Sequence, residues 1–242
     1  MDVTSLAFKV YLILGFELAA LYGCVFFVIQ QCKKAFYANK TFLGIAFAEA
    51  VNQNRQTDIC IVENKATALL FFWLCLFAII SLWTASALII FSSSPIQLIF
   101  MTLTSIGYGS LIGFIIMDMD ENDGMTALKG ASLTTAAMFI LVFIGGINFL
   151  NSNFLTLVPF LILILIIWEL SALVRGISRV ARKIKAVIGI IIFSLSLLAS
   201  ISMVNVSSDQ GINDWNTAID LALSMYLDII NLTLYYLDLM GG

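Results

Sequence analysis

The sequence predicts an all-α, polytopic membrane protein: a seven-transmembrane-helix bundle forming a single membrane domain over residues 1–242. Three observations predict it. Of 242 residues, 61% are hydrophobic and only 11% are charged, whereas a soluble domain is about 45–50% apolar and roughly 25% charged. Apolar runs long enough to cross a bilayer recur along the chain. Short polar stretches separate them and leave no room for a soluble domain.

A hydrocarbon core about 30 Å thick needs about 20 apolar residues in a helix. Runs of that size fall at about residues 6–30, 67–91, 96–117, 129–150, 154–174, 185–204 and 216–240. The amino end, MDVTSLAFKVYLILG, has no basic n-region and no small-residue cleavage pattern, and its apolar run continues to Ile29. It is expected to be a first span and not a cleaved signal. The later runs are separated by SSSP (92–95), DMDENDG (118–124), NSN (151–153), a basic stretch (175–185) and NVSSDQGIND (205–214), all rich in turn formers or charge. Short connections make consecutive helices antiparallel neighbours. The first connection, residues 31–66, is long, and its part FYANKTFLGIAFAEAV (36–51) reads either as an interfacial helix or as a surface loop.

Charge excludes some functions and orients the chain. Twelve Lys+Arg against fifteen Asp+Glu leave no basic face for nucleic acid. With no His and four scattered Cys, neither a metal cage nor a nucleophile–base pair is supplied, so no enzyme activity and no bound cofactor are expected. Cys24 and Cys75 read as small hydrophobes; Cys32 and Cys60 flank the first connection without a CxxC. Eleven of the twelve basic residues, all but Lys9, fall in the odd connections or at their edges, which places those inside and the N-terminus outside. The acidic segment 118–124 fails the calcium-loop test, because Lys129 stands where a bidentate Glu is needed.

Ionisable groups at mid-bilayer cost roughly 2.5–3.5 kcal/mol on insertion scales and are functional candidates by default. Glu17 lies near the centre of span one and Asp228 near the centre of span seven. Glu17 is expected to face the interior and not lipid; polar groups of span six or seven within its reach would mark it as a partner of that region. Glu169, near the end of span five, reads as structural. In span seven, Asp220, Ser224, Asp228, Asn231, Tyr235 and Asp238 follow the helical period and form one polar stripe. The other face, with Leu221, Leu223, Leu227, Ile229, Ile230, Leu232 and Leu234, is aliphatic. Three carboxylates without a Lys or Arg in that helix must meet water, a cation, protons or partners on other helices. Alternatively, only Asp228 is buried, neutral and hydrogen-bonded.

The run ALSMYLDIINLTLYYL (222–237), with YLDIINL (226–232) at its core, resembles the signature of the transmembrane Bax inhibitor motif family, the Bax inhibitor-1-like proteins. TTAAMF (134–139), IGIIIF (188–193) and the segment around Gly109-Ser-Leu-Ile-Gly113 support it. The resemblance covers roughly residues 95–240; spans one and two match in number and length. It implies a seven-helix bundle with the last helix central, a pH-sensitive calcium leak and, in eukaryotes, suppression of cell death. The family's pH sensor is an aspartate pair on helices six and seven. Asp228 matches the helix-seven member, whereas the helix-six member falls on Ser200. The family's usual N-inside orientation is opposite to the charge bias.

Two function classes follow. One is a cation or proton-coupled calcium pathway through Asp228, Asp220, Asn231, Ser224, Glu17 and Ser200, with Ca2+ as transported species. The other is a non-catalytic structural subunit of a larger membrane complex, for example in the mitochondrial inner membrane, that has lost the aspartate pair. The partners expected are the lipid bilayer and, on the second reading, other membrane subunits. The protein is multi-pass in a bacterial inner, endoplasmic reticulum or Golgi, or mitochondrial inner membrane.

Overall fold

The computed structural model describes residues 4–51, 57–62, 64–88, 94–143, 152–175 and 178–241. Among them it forms seven helices: α1 (Leu6–Tyr37), α2 (Lys65–Leu88), α3 (Ser94–Asp118), α4 (Glu121–Phe143), α5 (Ser152–Arg175), α6 (Arg179–Asp209) and α7 (Trp215–Met240). Six are long and apolar enough to cross a membrane; in α5 the described apolar stretch is Leu157–Trp168. A small hairpin, β1 (Phe47–Val51) and β2 (Thr57–Ile61), joins α1 to α2.

The hairpin corrects the interfacial helix considered for residues 36–51. β1 and β2 pair antiparallel, from Phe47 opposite Ile61 to Val51 opposite Thr57. Thr57, Ile59 and Ile61 of β2 are β-branched, so a short pleated ribbon suits this segment better than an amphipathic helix. α1 stops before the hairpin in a Schellman motif. The Asn39 N–H donates to the Phe36 carbonyl and the Lys40 N–H to the Ala35 carbonyl, while Asn39 takes φ 50. A tight turn follows, bridging Phe42 and Ile45, with positive φ at both Leu43 and Gly44.

Helix ends differ from span ends for one reason: hydropathy marks where lipid stops, whereas caps mark where the helix stops. α1 runs on through Lys33 and Lys34, and α6 takes in the basic residues from Arg179 to Lys185. Most of the acidic segment also becomes helix. α4 begins at Glu121, and the Asp120 carboxylate accepts the Asn122 N–H at 2.8 Å. α6 continues through residues 205–209, expected as a connection, until Gly211 (φ 76) closes a second Schellman motif with Ile212 N–H donating to the Ser207 carbonyl. Asp214 then caps α7, accepting from the Thr217 N–H and hydroxyl, each at 2.8 Å.

The chain groups into two compact units, Ile13–Met125 and Met1–Leu12 with Thr126–Gly242. In the first, α1 and α3 approach closely where glycines recur four apart. A Cβ added at Gly109 would lie 2.5 Å from the Leu21 carbonyl oxygen, and one at Gly113 would lie 2.9 Å from the Val28 Cβ. This is the small-residue contact by which helices pack in lipid, where dispersion replaces the hydrophobic drive. Phe114, fully buried, receives Phe42 from the loop and Phe71 from α2 at 6.1 and 5.8 Å. Lys33 pairs with Glu121 at 2.7 Å.

In the second unit α6 and α7 pack along their lengths, and Gly189 of α6 admits the Tyr235 ring, which stacks on Phe193. Gly130 of α4 likewise admits Tyr236, whose hydroxyl lies 2.7 Å from that of Thr134. The buried Lys9 ties the start of α1 to the α6–α7 connection: its Nζ donates to the Asn213 carbonyl at 2.9 Å and lies 5.0 Å from the Trp215 ring centre. The Asn213 amide donates in turn to the Thr4 carbonyl.

Candidate functional site

Asp228 sits on the buried side of α7, 5% exposed. Two serines one turn apart on α6, Ser196 and Ser200, present hydroxyls to it. The Ser200 Oγ donates to the Asp228 Oδ2 at 3.1 Å, and the same oxygen lies 3.2 Å from the Ser224 Oγ, one turn earlier on α7. The i, i+4 spacing on both helices stacks these four side chains into a small polar ladder. A buried carboxylate so held has donors for its charged form and acceptors for its protonated form. Either protonation state of the carboxyl can therefore be hydrogen-bonded within the ladder.

The polar stripe of α7 is not uniform. Asp220 and Ser224 are exposed, Asp228 and Tyr235 are buried, and Asn231 and Asp238 are half-buried. Asn231 donates back to the Leu227 carbonyl at 2.9 Å, so its amide serves its own helix. At the far end Asp238 meets a cation on a neighbouring helix: Lys185 of α6, 3.1 Å away and itself buried. The stripe is thus open at its Asp220 end and occupied by an ion pair at its Asp238 end. The aliphatic face is buried too, at Leu223, Ile229, Ile230 and Leu232, making α7 the most buried of the six spanning helices.

Beside the ladder, a crevice of about 390 Å³ runs between α5 and α6, lined by Pro159, Ile162 and Ile166 on one side and Ser196, Ala199 and Ser200 on the other. Ser200 therefore faces both the crevice and the carboxylate.

Glu17, 1% exposed, lies in the other unit. Its hydrogen bonds come from α3: the Thr102 hydroxyl donates to Oε1 at 2.9 Å and the Ser105 hydroxyl to Oε2 at 2.5 Å. Among the described residues, the side chains that hydrogen-bond it are thus on α3, the third apolar run. The side chain of Glu169 lies outside the described residues.

Sequence reasoning missed Ser196, Lys185, Thr102 and Ser105. Ser196 had a signal, since it precedes Ser200 by one turn on the same face. Lys185 had been assigned to a connection. The α3 hydroxyls had none, because a Ser or Thr in a spanning helix commonly bonds its own i−4 carbonyl.

Residues 3–242 match the profile of the family described as inhibitor of apoptosis-promoting Bax1. The chain belongs to this family, the Bax inhibitor-1-like transmembrane proteins. No curated protein matches it. The match includes residues 3–94, where the sequence shows agreement in span number and length only. Ser200, the position reached by counting along α6 from IGIIIF, is one of the two serines whose hydroxyls face Asp228.

Proposed function

We propose that this Bax-inhibitor-family protein provides a pH-sensitive cation leak across its membrane, with Ca2+ among the ions carried and Asp228 as the titrating group. One observation carries the reading: a buried carboxylate held by α6 hydroxyls, on a stripe whose Asp220 end is exposed. A carboxylate charge offsets the dehydration of an entering cation, and its protonation removes that attraction. Ser200 cannot share a proton as a second carboxylate would. Within this ladder titration then belongs to Asp228, with the hydroxyls reorienting around it. In proteoliposomes Asp228→Asn, which keeps size and hydrogen-bonding capacity, flattens the pH dependence of calcium flux while thermal stability stays within about 1–2 kcal/mol.

A second reading, a structural subunit of a larger membrane complex, draws on α2. Phe72, Trp73, Phe77, Ile80 and Trp83 of that helix are exposed, an aromatic surface that a neighbouring subunit could cover as well as lipid. Native mass measured from nanodiscs separates the two: a stoichiometric partner supports the subunit, and a free chain with flux supports the leak.

A further inference from the structure

The geometry points to a second proton-binding site, at Glu17, formed with Thr102 and Ser105 of α3 and separate from the Asp228 ladder. This inference does not rest on the flux assigned to Asp228. Glu17 is buried, and the Ser105 hydroxyl beside it is buried as well. Each hydroxyl has two acceptors within reach and a single hydrogen. Thr102 Oγ1 lies 2.9 Å from the carboxylate and 3.0 Å from the Leu98 carbonyl; Ser105 Oγ lies 2.5 Å from the carboxylate and 3.2 Å from the Met101 carbonyl.

That pairing satisfies both protonation states. With Glu17 ionised, both hydroxyl hydrogens point at its oxygens. When a proton arrives from water and bonds to Oε2, the new O–H donates to Ser105 Oγ, and the serine hydrogen turns to the Met101 carbonyl. Only a hydroxyl rotation is needed, and no buried donor or acceptor is left unpaired. The helix's i−4 carbonyls, which usually make such serines inert, here provide the alternative acceptor.

Among the described residues, the side-chain groups hydrogen-bonded to the carboxylate are these two hydroxyls. On α3 the nearest titratable side chain in sequence is Tyr108, which lies against Cys75 of α2. On α1 the residues one turn away, Ile13, Leu14 and Leu21, are aliphatic. Gln97 lies two turns before Ser105 on the same face of α3. It is buried and its Nε2 has no hydrogen-bond partner, so it offers an entering water a donor along that face.

Infrared difference spectra of the full chain in nanodiscs, taken while pH is lowered from about 8 to 5, read the site directly. The expected result is a buried carboxylic-acid C=O band that is lost in Glu17→Gln, kept in Asp228→Asn, and shifted in frequency in Ser105→Ala. Spectra of Glu17→Gln identical to wild type across the range overturn the inference, as does a band lost in Asp228→Asn alone. A band abolished by sodium at fixed pH makes the ligand a metal cation and overturns it too. Because Ser105→Ala leaves the carboxylate in place, its shift supports the assignment even if Glu17→Gln folds poorly.

Discussion

The hydroxyl of Ser200 donates to the carboxylate of Asp228 at 3.1 Å, joining α6 to α7. A serine hydroxyl supplies a hydrogen bond without supplying a charge. A carboxylate pair resists double ionisation because like charges repel, whereas Asp228 faces no such neighbour on α6. The contact thus closes the helix pair without setting a second charge beside Asp228.

The cap of α7 gives a pH-dependent share of stability. Bonds from the Thr217 N–H, and then from its hydroxyl, hold the Asp214 carboxyl below its ordinary value. A depressed folded value stabilises the protein above the unfolded one, and that stability is lost as pH falls through the folded value. Asp214→Ala costs about 0.5–2 kcal/mol near neutral pH, and the difference from wild type narrows in acid. Thermal melts in detergent at two pH values check it. A difference that grows on acidification contradicts the cap.

Glycines separate by what surrounds them. At Gly189 a Cβ would stand 2.6 Å from the Tyr235 ring, whereas at Gly15 it meets nothing within 4 Å. Gly189→Ala therefore overpacks and costs about 1–3 kcal/mol, while Gly15→Ala gains up to about 1 kcal/mol of helix propensity. Denaturation of both variants should move in opposite directions. Equal shifts would mean that α6 and α7 do not approach at Gly189.

The Lys185–Asp238 pair is asymmetric, with the lysine side chain 6% exposed and the aspartate 38%. Asp238→Asn leaves the more buried charge without its carboxylate and destabilises by about 1–3 kcal/mol. The double change Lys185→Met with Asp238→Leu recovers most of that loss. A double variant as unstable as the single one would show that the loss does not come from an unpaired lysine charge.

Orientation follows from the charge bias. In a cysteine-free background, a cysteine at exposed Ser178, beside Arg179 and Arg182, resists an impermeant thiol reagent in sealed cells or mitoplasts, and one at exposed Gln210 is labelled. The reverse pattern would contradict the charge argument.

Legibility in the sequence followed the length scale of each interaction. Spanning helices were readable because a lipid core demands about 20 apolar residues in a row, and six of the expected seven are long and apolar enough in the structure. Their ends were not, since caps at Asn39, Asp120, Gly211 and Asp214 lie in segments that hydropathy scores only as polar. The hairpin at 47–61 was hidden inside a mixed stretch whose strands are only five residues each. Within the site, the α7 stripe and Ser200 were readable from helical period and family register. Thr102, Ser105 and Lys185 depend on which helices meet, and periodicity along one helix does not contain that.

Calcium flux into proteoliposomes holding the wild-type protein, followed from about pH 8 to about pH 5 against protein-free liposomes, tests the central claim most directly. The account predicts flux above the protein-free control that falls as acid neutralises Asp228, and a flat profile in Asp228→Asn. Flux no greater than that of empty liposomes at every pH would contradict it.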